Sequence, residues 1–120
     1  MIRKANELRH FTRSPGVEIY VLVEPDEMHN AGRLYARIVL APGASLAYHR
    51  HDGEMESFYV IKGTCRVEDN GAASYLSEGD VMITPAGECH AVHNESDCDV
   101  EIMALIVSCV QGVDGGSVAV

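Results

Sequence analysis

Six histidines occur in the chain, and two of them, His49 and His51, stand two residues apart in SLAYHRH. Successive side chains of a β-strand point to opposite faces, so residues two apart share a face, roughly 6.6–6.8 Å apart at Cα. Two imidazoles so placed can converge on one ion. Glu56 opens the next apolar run, and the short HDGEM loop can fold back and bring its carboxylate beside them. Two histidines and one carboxylate form the facial set that holds a divalent first-row metal. His90, on a later run, supplies a further imidazole. A divalent ion with one carboxylate and three neutral imidazoles carries about +1 and keeps two octahedral positions open. Those positions suit a bidentate oxygen ligand: an α-keto acid, a hydroxy acid, oxalate or a catechol-like diol. Such an ion acts as a Lewis acid, an O₂-binding redox centre or a template, and Mn, Fe, Ni, Co and Zn all accept this donor set.

Around these four residues stand weaker candidates. Glu54 is the alternative carboxylate to Glu56. Tyr59 is a candidate catalytic group on the strand of Glu56, although strict alternation places Phe58 and Val60 with Glu56 and Tyr59 opposite. Tyr48 and Cys89 adjoin candidate ligands and so face away from them. Arg37 alternates with Ala36 and Ile38 and points outward. His93 falls on the face opposite His90, whereas Asn94 shares its face and reads as a residue that fixes a turn or rim. His10 and His29 have no partner pattern and are expected in solvent. The four cysteines, 65, 89, 98 and 109, form no CxxC pair. This excludes a zinc knuckle or a thioredoxin motif. Cys65, Cys98 and Cys109 read as small core residues.

The elements that must position these groups are strands nearly throughout. Expected strands cover 17–23, 34–40, 45–51, 55–62, 64–68, 72–76, 81–84, 89–94 and 99–108, separated by Gly, Pro and Asn turns. Short strands at regular spacing indicate an all-β sandwich or barrel. Asn70-Gly71 predicts a two-residue type I′ hairpin. ANELRHF, 5–11, is the one segment expected as a short helix, and the loop EPDEMHN, 24–30, is acidic.

The spacing also fits a known pattern. Gly43, five residues, His49-Arg50-His51, four residues, Glu56, six residues and Gly63 reproduce G(x)5HxH(x)4E(x)6G. Gly79, five residues, Pro85-Ala86-Gly87, two residues, His90, three residues and Asn94 reproduce G(x)5PxG(x)2H(x)3N. With these ten positions, and 15 residues between the motifs, the chain resembles the cupin superfamily, in particular small single-domain bacterial cupins similar to oxalate decarboxylases. The resemblance implies a jelly-roll β-barrel, or double-stranded β-helix. It implies a divalent metal, Mn or Fe before Ni, Co or Zn, held by His49, His51, Glu56 and His90. The motif spacing to Gly63 selects Glu56 over Glu54. It further implies a homodimer, with strand 17–23 as a candidate contact. The expected function is binding or conversion of a small oxygen-rich organic acid, oxalate-like or keto-acid-like, with a decarboxylase or oxidoreductase activity of cupin type in view. The alternatives are a metal-dependent dioxygenase or isomerase on another small substrate, or a non-enzymatic ligand-binding cupin. Oxalate decarboxylases resemble two cupins in one chain with a mobile lid glutamate, and neither feature is present here.

Composition bounds the partners. The 120 residues suit one domain, expected at 1–112 with a flexible Gly-rich tail at 113–120. Lys plus Arg is 9 and Asp plus Glu is 18, a net charge of −9. Such a chain repels phosphate backbones and anionic membrane surfaces, so neither nucleic acid nor membrane is an expected partner. No apolar run reaches the roughly 20 residues of a membrane helix, and the N-terminus lacks a signal-peptide core, so the expected location is cytoplasmic.

Overall fold

The computed structural model describes residues 1–109; the Gly-rich tail lies outside the described residues. Ten strands form two antiparallel sheets. They are β1 (Arg9–Ser14), β2 (Val17–Val23), β3 (Gly32–Leu40), β4 (Ser45–Arg50), β5 (Glu54–Lys62), β6 (Cys65–Asp69), β7 (Ala72–Leu76), β8 (Val81–Thr84), β9 (Cys89–His93) and β10 (Val100–Ser108). One sheet has six strands in the order β1-β2-β3-β10-β5-β8, and the other has four in the order β4-β9-β6-β7. This is the all-β jelly roll that the family resemblance implies. No described helix is long and apolar enough to cross a membrane.

Alternation builds the core. In β2, Val17, Ile19 and Val21 point inward, as do Ala36, Ile38 and Leu40 in β3 and Val100, Ile102 and Ala104 in β10. They meet Leu46, Cys65, Val67 and Val92 of the smaller sheet. Burying each large apolar side chain stabilises the fold by about 1.5–3 kcal/mol. The buried polar side chains are Asn94, in the turn after β9, and one cluster of His51, Glu56, Thr84 and His90.

Turns meet their sequence signals. Asn70 and Gly71 have φ of 48° and 93° and join β6 to β7, as a type I′ turn requires. Gly63 has φ +87°, and a Cβ there would lie 3.1 Å from the Asp99 carbonyl oxygen, so both angle and space demand glycine. Gly87 has φ +89° and open space around it, so there the angle alone requires glycine.

The segment 5–11 is not a helix. Only Ala5–Glu7 form a short 3₁₀ turn, and Arg9 begins β1. Arg9–Arg13 are all exposed, so this edge strand has no apolar alternation from which to read it. The cysteines divide too. Cys65 is buried as expected, but Cys98 and Cys109 are exposed, because each stands just outside the strand beside it.

Candidate metal centre

The site starts from strand register. His49 on β4 lies opposite His90 on β9. Glu56 on β5 lies between Thr84 of β8 and Ile106 of β10. The two sheets therefore each contribute donors to a shared interior. One irregularity makes this possible. Leu46 pairs with Val92 and His49 with His90, so three steps along β4 match two along β9. The extra residue is a β-bulge, which re-aims the side chains beyond it. Without it, Leu46 and His49 would face opposite ways; with it, Leu46 enters the core and the histidines enter the site.

The ring nitrogens converge. His49 Nε2 lies 2.8 Å from His51 Nε2, which lies 3.1 Å from His90 Nε2, and the third side of the triangle is 3.2 Å. Glu56 Oε1 is 2.8 Å from His51 Nε2 and 3.0 Å from His90 Nε2. All four donor atoms lie within 4.8 Å of one another. The rings are steeply inclined, 70–81° between planes. A ring nitrogen has a single in-plane hydrogen-bonding direction, so three of them cannot satisfy one another around a triangle. A central cation would resolve the conflict. Ligands bonded at about 2.1 Å in neighbouring octahedral positions are about 3.0 Å apart, which is the spacing found. Among the described residues Glu56 contacts His51 and His90 closely and not His49.

The far side of each ring is supported. If Nε2 is the ligand atom, Nδ1 carries the proton: His49 Nδ1 then donates to the Ala47 carbonyl at 2.6 Å, and His90 Nδ1 to Thr84 Oγ1 at 2.7 Å. These bonds fix tautomer and orientation. The His90 ring also stacks on Phe58, with centroids 4.8 Å apart. Burial lowers the His51 pKa, His49 and His90 push the same way, and Glu56 opposes them. The ring is thus held toward the neutral form a metal requires.

The cluster opens into a cavity of about 170 Å³. Leu34, Ile38 and Leu46 line its apolar side, and Arg13, Arg33 and Arg50 its mouth. Glu54, the alternative carboxylate, faces the other side of His51: its Oε1 is 3.9 Å from Nδ1, and its Oε2 accepts from Arg33 Nε at 2.7 Å. The structure does not bring Tyr59 to the site. It is 48% exposed on the outer face, between buried Phe58 and Val60, because the pairing of β5 with β8 runs without a bulge there. Tyr48 is also outside. Arg37 points outward as expected, bonding Glu101 at 2.8 Å and capping the Tyr20 ring. His93 bonds Ser45 and Glu68 away from the cluster. His29 is exposed, while His10, also exposed, has a partner in Glu18 at 2.6 Å. Asn94 is a turn residue: its amide donates to the Leu40 and Cys98 carbonyls, and its oxygen accepts from Ser96. Thr84 and Arg13 escape a reading of the chain alone, Thr84 because it meets His90 only through the placing of β8 and β9, and Arg13 because a bulge breaks the alternation there.

Comparison with known proteins agrees with this geometry. A protein of Thermotoga maritima described as an oxalate-binding protein is 40% identical over 91 residues, 76% of this chain and 75% of that one. A crystal structure of a predicted oxalate decarboxylase from the same organism superposes with a TM-score of 0.82 at 34% identity, covering 90% of this chain and 99% of that one. KdgF from Halomonas sp. shares the fold, with a TM-score of 0.74 at 20% identity over 88% of this chain and 91% of that one. Residues 36–107 match the Cupin_2 cupin-domain family, and on that match and the 40% relative the chain is a member of the cupin family.

Proposed function

We propose that the chain is a one-domain cupin, residues 1–112, that holds a divalent metal, Mn or Fe first, through His49, His51, Glu56 and His90. On this reading it binds a small oxygen-rich acid, oxalate-like or keto-acid-like, at that metal. The observation that carries the reading is the set of donor distances, which match neighbouring octahedral positions and conflict with hydrogen bonding among the rings. The oxalate-binding relative at 40% identity supports the ligand class. The ion would supply Lewis acidity and the excess positive charge for a chelating anion. The chain's own groups do the rest. Thr84 and the Ala47 carbonyl hold the rings, and Phe58 and Leu46 keep one wall dry.

Binding without turnover is the reading that two observations favour over catalysis. The carboxylate nearest the cluster that is not in the donor set, Glu54, is engaged by Arg33, and Tyr59 is outside. The test loads purified protein with Mn(II) or Fe(II) and measures bound metal by elemental analysis and oxalate affinity by calorimetry. About one metal per chain and saturable oxalate binding are expected. His49→Ala and His90→Ala should each lose the metal; unchanged metal in both would sink the site. CO₂ release from oxalate, or oxygen uptake with Fe(II), would replace binding by decarboxylase or oxygenase function.

A further inference from the structure

The cavity mouth carries an arginine that the fold has aimed and left unused. Thr12 pairs with Glu18 and Ser14 with Val17, so β1 has one residue more than β2 at that point, and the extra residue is Arg13. A bulge at a sheet edge redirects a side chain out of the alternating pattern. Here the redirected side chain lines the same cavity as three of the four donors, His49, His51 and Glu56. Two other guanidiniums line it, and both are occupied: Arg33 binds Glu54 and Arg50 binds Asp52, each at 2.7 Å. Arg13 makes no ion pair among the described residues. The lining thus contains three guanidiniums and three carboxylates, Asp52, Glu54 and Glu56, and the one guanidinium without a carboxylate is Arg13.

We infer that Arg13 is a specificity residue for the ligand of this site: it receives a second carboxylate of an acid whose first end chelates the metal. This rests on the reading of the cluster given above and narrows it, from any small chelating acid to a diacid longer than oxalate. A planar fork of N–H donors suits a carboxylate at the mouth, and glutamine keeps length without charge.

The experiment uses Mn(II)-loaded protein and two five-carbon probes with the same chelating end, 2-oxoglutarate and 2-oxopentanoate, which differ in the distal carboxylate. Calorimetry should show wild type preferring 2-oxoglutarate by about tenfold or more, the size of one charge-assisted hydrogen bond. Arg13→Gln should erase that preference, leave 2-oxopentanoate affinity unchanged and keep the bound metal of wild type. Arg13→Lys should keep part of the preference. Equal wild-type affinity for the two acids, or a preference that survives in Arg13→Gln, overturns the role of Arg13 and leaves the metal site standing. Loss of metal in Arg13→Gln also overturns it, since Arg13 would then support the cluster. If the loaded wild type binds neither acid, nor oxalate, the reading of the cluster fails and this one with it.

Discussion

At the residue scale, the cluster depends on groups that never touch the ion. His90 is wholly buried, and its Nδ1 has Thr84 Oγ1 as its partner. Thr84→Val keeps the shape and removes the acceptor, which leaves a buried N–H unsatisfied and the ring less firmly oriented. Partners of this kind are worth 10–100-fold in metal affinity. We expect Thr84→Val to weaken Mn(II) binding by about that factor in a chelator competition, with the circular dichroism spectrum unchanged; wild-type affinity would show the contact to be incidental. The thiols allow a second test. Burial raises the Cys65 pKa, and the residue is 2% exposed, while Cys98 and Cys109 are exposed. Less thiolate and no access make a thiol inert. Ellman's reagent at pH 8 should therefore modify Cys98 and Cys109 quickly and Cys65 only after denaturant is added. Fast reaction of all four thiols would contradict the packing around Cys65.

At the element scale, much of the fold is legible because apolar alternation has a period of two wherever one face is buried. Val17–Val23, Ala72–Leu76 and Val81–Thr84 coincide with the expected strands to the residue. The donors were legible for the same reason, since His49 and His51 share a face and the motif spacing supplies Glu56 and His90. Three things were not. β1 has exposed residues on both faces until Ser14, so nothing distinguishes it from polar helix. The bulges before His49 and at Arg13 break the period itself, and a period cannot announce its own interruption. Thr84 and His90 are six apart in sequence and meet only because β8 and β9 belong to different sheets. Glycine positions, by contrast, are carried by local angles. Gly63 ends the path from β5 to β6 with φ +87° and has the Asp99 carbonyl against it. The left-handed region costs a side-chain-bearing residue about 1–2 kcal/mol, and the close contact adds to this. Gly63→Ala should lower unfolding stability by about 2 kcal/mol in urea; a loss below the noise of the measurement would mean that the turn relaxes freely.

At the scale of the whole molecule, charge and apolar surface separate. Three of the nine basic residues line one cavity in a chain of net charge −9. Three carboxylates, Asp52, Glu54 and Glu56, balance them in that lining, so a divalent ion at the proposed site would supply the local charge that draws a small anion against the overall field. The apolar surface lies elsewhere. Strand β2, expected as a subunit contact, has its outer face covered: His10 stacks on Tyr20 at 4.5 Å, Arg37 lies over the same ring at 4.3 Å, and Thr12 and His10 hold Glu18. Among the described residues nothing covers the outer face of β5 and β8 in this way, and Tyr59, Ile61, Val81 and Ile83 are each 41–57% exposed there. β8 is also the edge of the six-stranded sheet. An apolar face beside an open edge favours pairing with a second copy, and a lysine there is a device that prevents it. A homodimer, expected from the sequence, would on this ground form through β5 and β8 rather than β2. Light scattering at micromolar concentration should give a dimer for wild type and a monomer for Val81→Lys/Ile83→Lys. Met82 and Thr84 alternate inward between and beyond these positions, so the monomeric variant should retain its metal. A wild-type monomer would overturn the placement, and a monomeric variant without metal would mean that the site draws on the partner copy.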